Sequence, residues 1–154
     1  MHITARVDYA VRTLLELAAI DDARPAKAET LATAQSIPHK FLEAVLADLR
    51  RGGLVRSRRG PEGGYWLARP AAEISIADVI RTVEGPLASV RGERPESVAY
   101  TGVAEKLQDV WIAVRVNLRA VLEEVSLADV VSGRLPGFVE DLTKDPGAWE
   151  RRQV

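Results

Sequence analysis

The chain of 154 residues contains no cysteine. Disulfides, iron held by thiolates and a thiol nucleophile are therefore excluded, although the absence does not identify a compartment. Histidine is nearly as scarce. His2 and His39 stand far apart in sequence, and neither belongs to an HxH or HxxxH pair that would offer a metal two imidazoles. No apolar run reaches the roughly 18 residues of a membrane-spanning helix. The first amphipathic stretch carries Arg6, Asp8, Arg12 and Glu16, charges that a secretion signal lacks, so a cytoplasmic protein is expected. Also missing are a Ser/His/Asp set, a phosphate-binding loop and paired carboxylates, so nothing points to an enzyme.

Net charge is nearly absent too, at −1. For a nucleic-acid binder, which gains affinity by neutralising phosphates, that figure looks wrong, but it conceals an asymmetry. Residues 1–70 hold 11 Lys or Arg against 8 Asp or Glu, whereas residues 71–154 hold 10 against 14. Arg50, Arg51, Arg56, Arg58 and Arg59 all fall between positions 50 and 59. Such a cluster is either a solvated basic turn or a nucleic-acid footprint.

What is present is helical periodicity. Val7, Ala10, Val11, Leu14, Leu15 and Ala18 predict an amphipathic helix from Thr4, a plausible N-cap, to about Ile20. Asp21, Asp22, Ala23, Arg24 and Pro25 break it, and a short helix is expected from about Lys27 to Gln35. After a turn at Ser36 and Ile37, Pro38 suits a first helical turn. Phe41, Leu42, Val45, Leu46 and Leu49 then form a stripe that stops at Gly52-Gly53, with His39, Lys40, Glu43 and Asp48 on the outer faces. Two helices joined by a tight turn make a helix-turn-helix. The segments 54–58 and 65–68 read as strands and the Gly- and Pro-rich 59–64 as the turn between them, so the segment RRGPEGGY, residues 58–65, is a wing.

Beyond the wing, Ser75-Ile76-Ala77-Asp78 is a capping box opening a helix that ends near Gly85. Residues 86–102 lose periodicity and are expected as a mobile surface loop. A long helix follows, in which Leu107, Trp111, Val114, Leu118, Val121 and Val125 recur at spacings of 4, 3, 4, 3 and 4. This heptad seam asks for a cover, either a partner helix from a second chain, the expected one, or the chain's own winged domain. Ser126-Leu127-Ala128-Asp129 echoes the capping box and should start a short last helix to about Ser132. The expected class is mainly α with a small β-hairpin: a winged helix-turn-helix domain over 1–85, the loop 86–102, a dimerisation helix and short last helix over 103–133, and a flexible tail over 134–154.

Several words of the sequence resemble the Rrf2 family of bacterial winged-helix regulators. They are Thr4-Ala5-Arg6 with Tyr9-Ala10, Ile37-Pro38 with Phe41-Leu42, Gly53-Leu54-Val55, the wing from Arg59 to Tyr65, and the SIADVIRTVEG and SLADVV helices, which together cover roughly residues 1–133. The resemblance implies a DNA-binding transcription regulator, expected to be a repressor. It would act as a homodimer on a partly palindromic operator of double-stranded DNA, with half-sites about one helical turn apart or a multiple of it. It further implies that His39, Lys40 and Glu43 face base edges in the major groove, and that Arg59 enters the minor groove from a wing tip shaped by Gly60, Gly63 and Gly64 beside Tyr65. Arg50, Arg51, Arg56 and Arg58 suit phosphates. The dimer interface would be the seam from Leu107 to Val125.

Many relatives carry three cysteines before the dimer helix that hold an iron–sulfur cluster. Here residues 86–102 have none, so no cofactor and no metal are expected. Asp8 stands where some relatives complete the cluster with a carboxylate, but one carboxylate is not a site, and it reads as a surface charge or dimer contact. Trp66 and Trp111 read as packing rather than as walls of a ligand pocket. The alternative function is a protein-interaction module on the same scaffold, with weak or no DNA binding. A regulatory protein or small molecule is the further candidate partner.

Overall fold

The computed structural model describes residues 1–22 and 24–153; Ala23, placed in the break after the first helix, lies outside them. Helix α1 runs Ala5–Ala18, with the Thr4 side chain accepting from the Val7 N–H as N-cap. It buries Val7, Ala10, Thr13, Leu14 and Leu17, so its inner stripe is rotated from the expected one: Val11 and Leu15 are half-buried. Thr13 is tolerated there because its hydroxyl donates to the Tyr9 carbonyl at 2.7 Å.

Helix α2 (Ala28–Gln35) ends at Ser36, which adopts the left-handed conformation, φ 52°. The turn is closed by Ile37 N–H donating to the Ala32 carbonyl at 2.9 Å, and Ile37 is buried. Pro38 then fixes the extended entry to α3 (His39–Arg51). Leu42, Val45, Leu46 and Leu49 of α3 face the core, together with Leu14, Ile74 and Leu127. Two of the expected placements on α3 are corrected. Phe41 is 55% exposed, because it sits one position off the buried face, and its ring meets Tyr9 edge-on at 5.9 Å. Asp48 is 8% exposed rather than on an outer face, and is paired with Arg6 and Arg51.

Strands β1 (Val55–Arg58) and β2 (Gly64–Leu67) pair antiparallel, with Arg56 opposite Trp66 and Arg58 opposite Gly64. Helix α4 (Ile76–Val83) carries the expected capping box, Ser75 with Asp78, and α6 (Leu127–Ser132) carries its twin, Ser126 with Asp129. The two caps face each other. Ser75 and Ser126 form an antiparallel bridge in which Ile76 N–H donates to Val125 O and Leu127 N–H to Ile74 O, both at 2.9 Å. This bridge folds α6 back against α1, so Leu127 completes the N-terminal core instead of standing with the long helix.

The long helix α5 is Leu107–Leu122, preceded by a 3₁₀ turn at Gly102–Ala104. Residues 86–102, expected as a mobile surface loop, form no α-helix or strand and carry a 3₁₀ turn at Pro95–Ser97. Pro95 and Val98 are buried, and the Gln108 amide of α5 donates to the Val98 carbonyl at 2.7 Å and the Pro95 carbonyl at 3.2 Å. These contacts from α5 join positions ten or more residues apart, so the local pattern of the segment does not show them. Within the expected tail, α7 (Gly137–Lys144) follows Pro136, buries Val139, and is succeeded by a 3₁₀ turn at Pro146–Trp149.

Candidate nucleic-acid interface

His39, Lys40 and Glu43 are exposed on the first turns of α3. His39 lies between two carboxylates, with Nδ1 3.5 Å from Glu43 and Nε2 3.6 Å from Glu29 of α2. Glu43, expected to accept from a cytosine amino group, thus begins beside an imidazole on its own helix. Lys40 makes no ion pair among the described residues.

The wing is built by close approach. A Cβ on Gly63 would lie 2.0 Å from the Arg58 carbonyl oxygen, and one on Gly64 would lie 2.5 Å from the Ala26 carbonyl oxygen. Only glycine fits either place. The second approach lets Tyr65 and Ala26 exchange backbone hydrogen bonds at 2.8 and 2.9 Å, so the residues before α2 add a third rung beside β2. At the tip, the Lys27 ammonium donates to the Gly60 carbonyl at 2.7 Å. The wing is therefore fastened to α2, and α2 packs on α3. Lys27 escaped the sequence reading, since nothing in the spacing of positions 27 and 60 pairs them.

The five clustered arginines divide. Arg51 is drawn to Asp48, and Arg50 donates to the Ser57 hydroxyl at 3.3 Å. Arg58 bends inward to donate to the Glu62 carbonyl at 3.2 Å. Arg56 and Arg59 are exposed and have no hydrogen bond or ion pair among the described residues. The charges of Arg50 and Arg58 are left uncompensated by their neutral partners, whereas Arg51 shares the Asp48 carboxylate with Arg6. The Arg6 hydrogen bond holds the Asp48 carboxyl below the usual carboxylate range, against the opposing effect of burial, and the same pairing raises Arg6.

On α5, none of Leu107, Trp111, Val114, Leu118 and Val121 is buried, and Val114 is 43% exposed. Trp111, Val114 and Leu118 line an open groove of about 400 Å³ with Met1, Ile3 and Ile80, and the Trp111 indole N–H donates to the Tyr100 hydroxyl at 3.0 Å. Val125 leaves the seam: it lies beyond the end of α5 and is 6% exposed, buried by the chain itself. Asp8 is paired with Arg12 at 2.9 Å, and Arg12 stacks on Tyr9 at 5.0 Å.

Residues 3–133, from before α1 through α6, match the family profile Rrf2, described as iron-dependent transcriptional regulator. The chain belongs to the Rrf2 family. Among relatives of this Rrf2 protein is one of Mycobacterium tuberculosis H37Rv, provisionally named an HTH-type transcriptional regulator, 49% identical over 150 residues, or 97% of this chain and 93% of that one. The HTH-type transcriptional regulator CymR of Bacillus subtilis is 30% identical over 132 residues, covering 86% and 91%. The structure of CymR, titled the global cysteine regulator of B. subtilis, superposes with a TM-score of 0.69, covering 86% of this chain and 98% of that one at 28% identity. T. potens IscR superposes with a TM-score of 0.70 at 28% identity, covering 91% and 96%. This is a family of regulators, not of enzymes, and among the described residues no helix is long and apolar enough to cross a membrane.

The iron in the family's description does not fit these residues. There is no thiolate anywhere in the chain, and among the described residues no group of three or more His, Asp or Glu side chains has a geometry that could hold a metal ion. The carboxylate at Asp8 already serves Arg12, and His39 lies on the outer face of α3. An iron–sulfur cluster has no ligands here.

Proposed function

We propose that this Rrf2 protein is a cytoplasmic repressor that binds a partly palindromic operator as a homodimer, without an iron–sulfur cluster. α3 enters the major groove with His39, Lys40 and Glu43 toward base edges, and the wing delivers Arg59 to the minor groove. Arg50, Arg56 and Arg58 meet phosphates, which supply affinity without sequence information, and Arg51 meets them more weakly because it shares Asp48.

The observation that carries this reading is the fastening of the wing. Through Ala26, Lys27 and α2, the wing and α3 belong to one connected unit, and the tip leaves Arg59 exposed and unpartnered among the described residues. A guanidinium presented on a braced, glycine-rich turn suits a narrow groove of concentrated negative potential. The apolar groove along α5 supports pairing through Trp111, Val114 and Leu118, because an open apolar face of this kind is normally covered, and Leu107 and Val121 continue the same heptad seam.

Gel retardation with the DNA upstream of the protein's own gene tests the proposal. Binding should weaken steeply as salt rises, since each neutralised phosphate releases counterions. Failure to retard any upstream fragment at low salt overturns it.

A further inference from the structure

A second concentration of arginine lies away from α3 and the wing. A cleft of about 420 Å³ is walled by Arg81 of α4, Arg94 of the segment 86–102, and Arg115 and Arg119 of α5. Glu96 accepts from Arg115, and Glu123 accepts from Arg81 and lies 3.9 Å from Arg119. Four guanidiniums thus face two carboxylates. Arg94 has no ion-pair partner among the described residues. Arg115 is 17% exposed, and its Nε is buried with no acceptor.

We infer that this cleft binds a small anionic metabolite through its phosphate or sulfate group. Guanidinium forks match tetrahedral oxyanions bidentately, and a concave site with an excess of two positive charges concentrates such ligands. Residues 86–88 and Pro95 supply a less polar wall, and the volume falls within the range of small-molecule pockets, leaving room for an organic body beyond the oxyanion. A free inorganic ion would use the same guanidiniums without that wall. The site joins α4, the segment 86–102 and α5, the elements that link the winged domain to the long helix, and it stands independently of the DNA-binding reading.

Calorimetric titration of the full chain with adenosine monophosphate, inorganic phosphate and inorganic sulfate tests this, with adenosine and with chloride at matched ionic strength as controls. Saturable binding of at least one oxyanion probe is expected, weakened about tenfold or more in the double variant Arg94→Gln, Arg119→Gln, whose melting temperature without ligand should match the parent. Tighter binding of adenosine monophosphate than of phosphate assigns the site to an organic ligand; equal or tighter binding of the inorganic ions assigns it to the free anion. No saturable binding of any probe below about 10 mM, or undiminished affinity in the double variant, overturns the inference.

Discussion

The Lys27 ammonium and the Gly60 carbonyl oxygen lie 2.7 Å apart, joining the residue that precedes α2 to the tip of the wing. Lys27→Ala should free the tip without disturbing the core. Stability should change by less than about 0.5 kcal/mol, as for most exposed positions, while amide exchange of residues 59–63 accelerates and DNA affinity falls a few-fold. An unchanged exchange rate would show that the Ala26–Tyr65 pairing alone braces the wing.

Arg59→Ala should weaken binding to operator DNA several-fold, corresponding to about 1 kcal/mol, and reduce the dependence on salt by about one phosphate equivalent. Titrations at several salt concentrations check both. Lys40→Ala, on α3, should instead alter base preference, which binding to randomised operator sequences would reveal.

Glycine is required more strictly at 64 than at 60. Gly64→Ala places a methyl group 2.5 Å from the Ala26 carbonyl oxygen at a φ of 147°, whereas Gly60→Ala at φ 102° meets nothing within 4 Å. The first should cost about 2–3 kcal/mol and break the Ala26–Tyr65 pairing, and the second about 1 kcal/mol of backbone strain. Chemical denaturation of the two variants side by side measures the difference; equal losses would mean that residue 26 withdraws freely.

Asp48 sets an acid limit. Its carboxyl is held low by the Arg6 hydrogen bond, so its contribution is complete above the unfolded carboxylate range and is lost as pH falls below about 4 toward the folded value. Asp48→Asn should cost about 1–2 kcal/mol at neutral pH, moderated because Arg6 is half-exposed, and should flatten the fall in melting temperature below about pH 4. An unaltered acid limb would assign that limit to other carboxylates.

Val114 tests the dimer. Its position in the groove beside Trp111 and Leu118 predicts that Val114→Asp converts a dimer to a folded monomer, measured by sedimentation at micromolar concentration with helicity retained. A wild-type protein that sediments as a monomer would refute the pairing.

Much of this molecule is written locally. The Thr4 cap, the two Ser-x-x-Asp boxes, the proline opening α3 and the glycines of the wing each act within four or five residues, so the element order through α6 and the helix-turn-helix with its wing were legible in the sequence, whereas α7 was not. The outer face of α3 was legible for the same reason, apart from Asp48 and Phe41. Periodicity shows that a residue lies near the boundary of a buried stripe, but not which neighbour meets it.

The sequence by itself determined the helices, the hairpin, the basic N-terminal half and the absence of cluster ligands, because capping, turn chemistry and side-chain inventory are local or additive properties. Tertiary structure decided the rest. It took Asp48 inside by bringing Arg6 from α1, fastened the wing with Lys27, buried Val125 and brought Leu127 to the N-terminal core beside the Ser75–Ser126 bridge, and gathered four arginines from three elements around one cleft. Each of these joins positions tens of residues apart, and only the packing of α1, α3, α4 and α5 fixes which distant groups come within bonding distance.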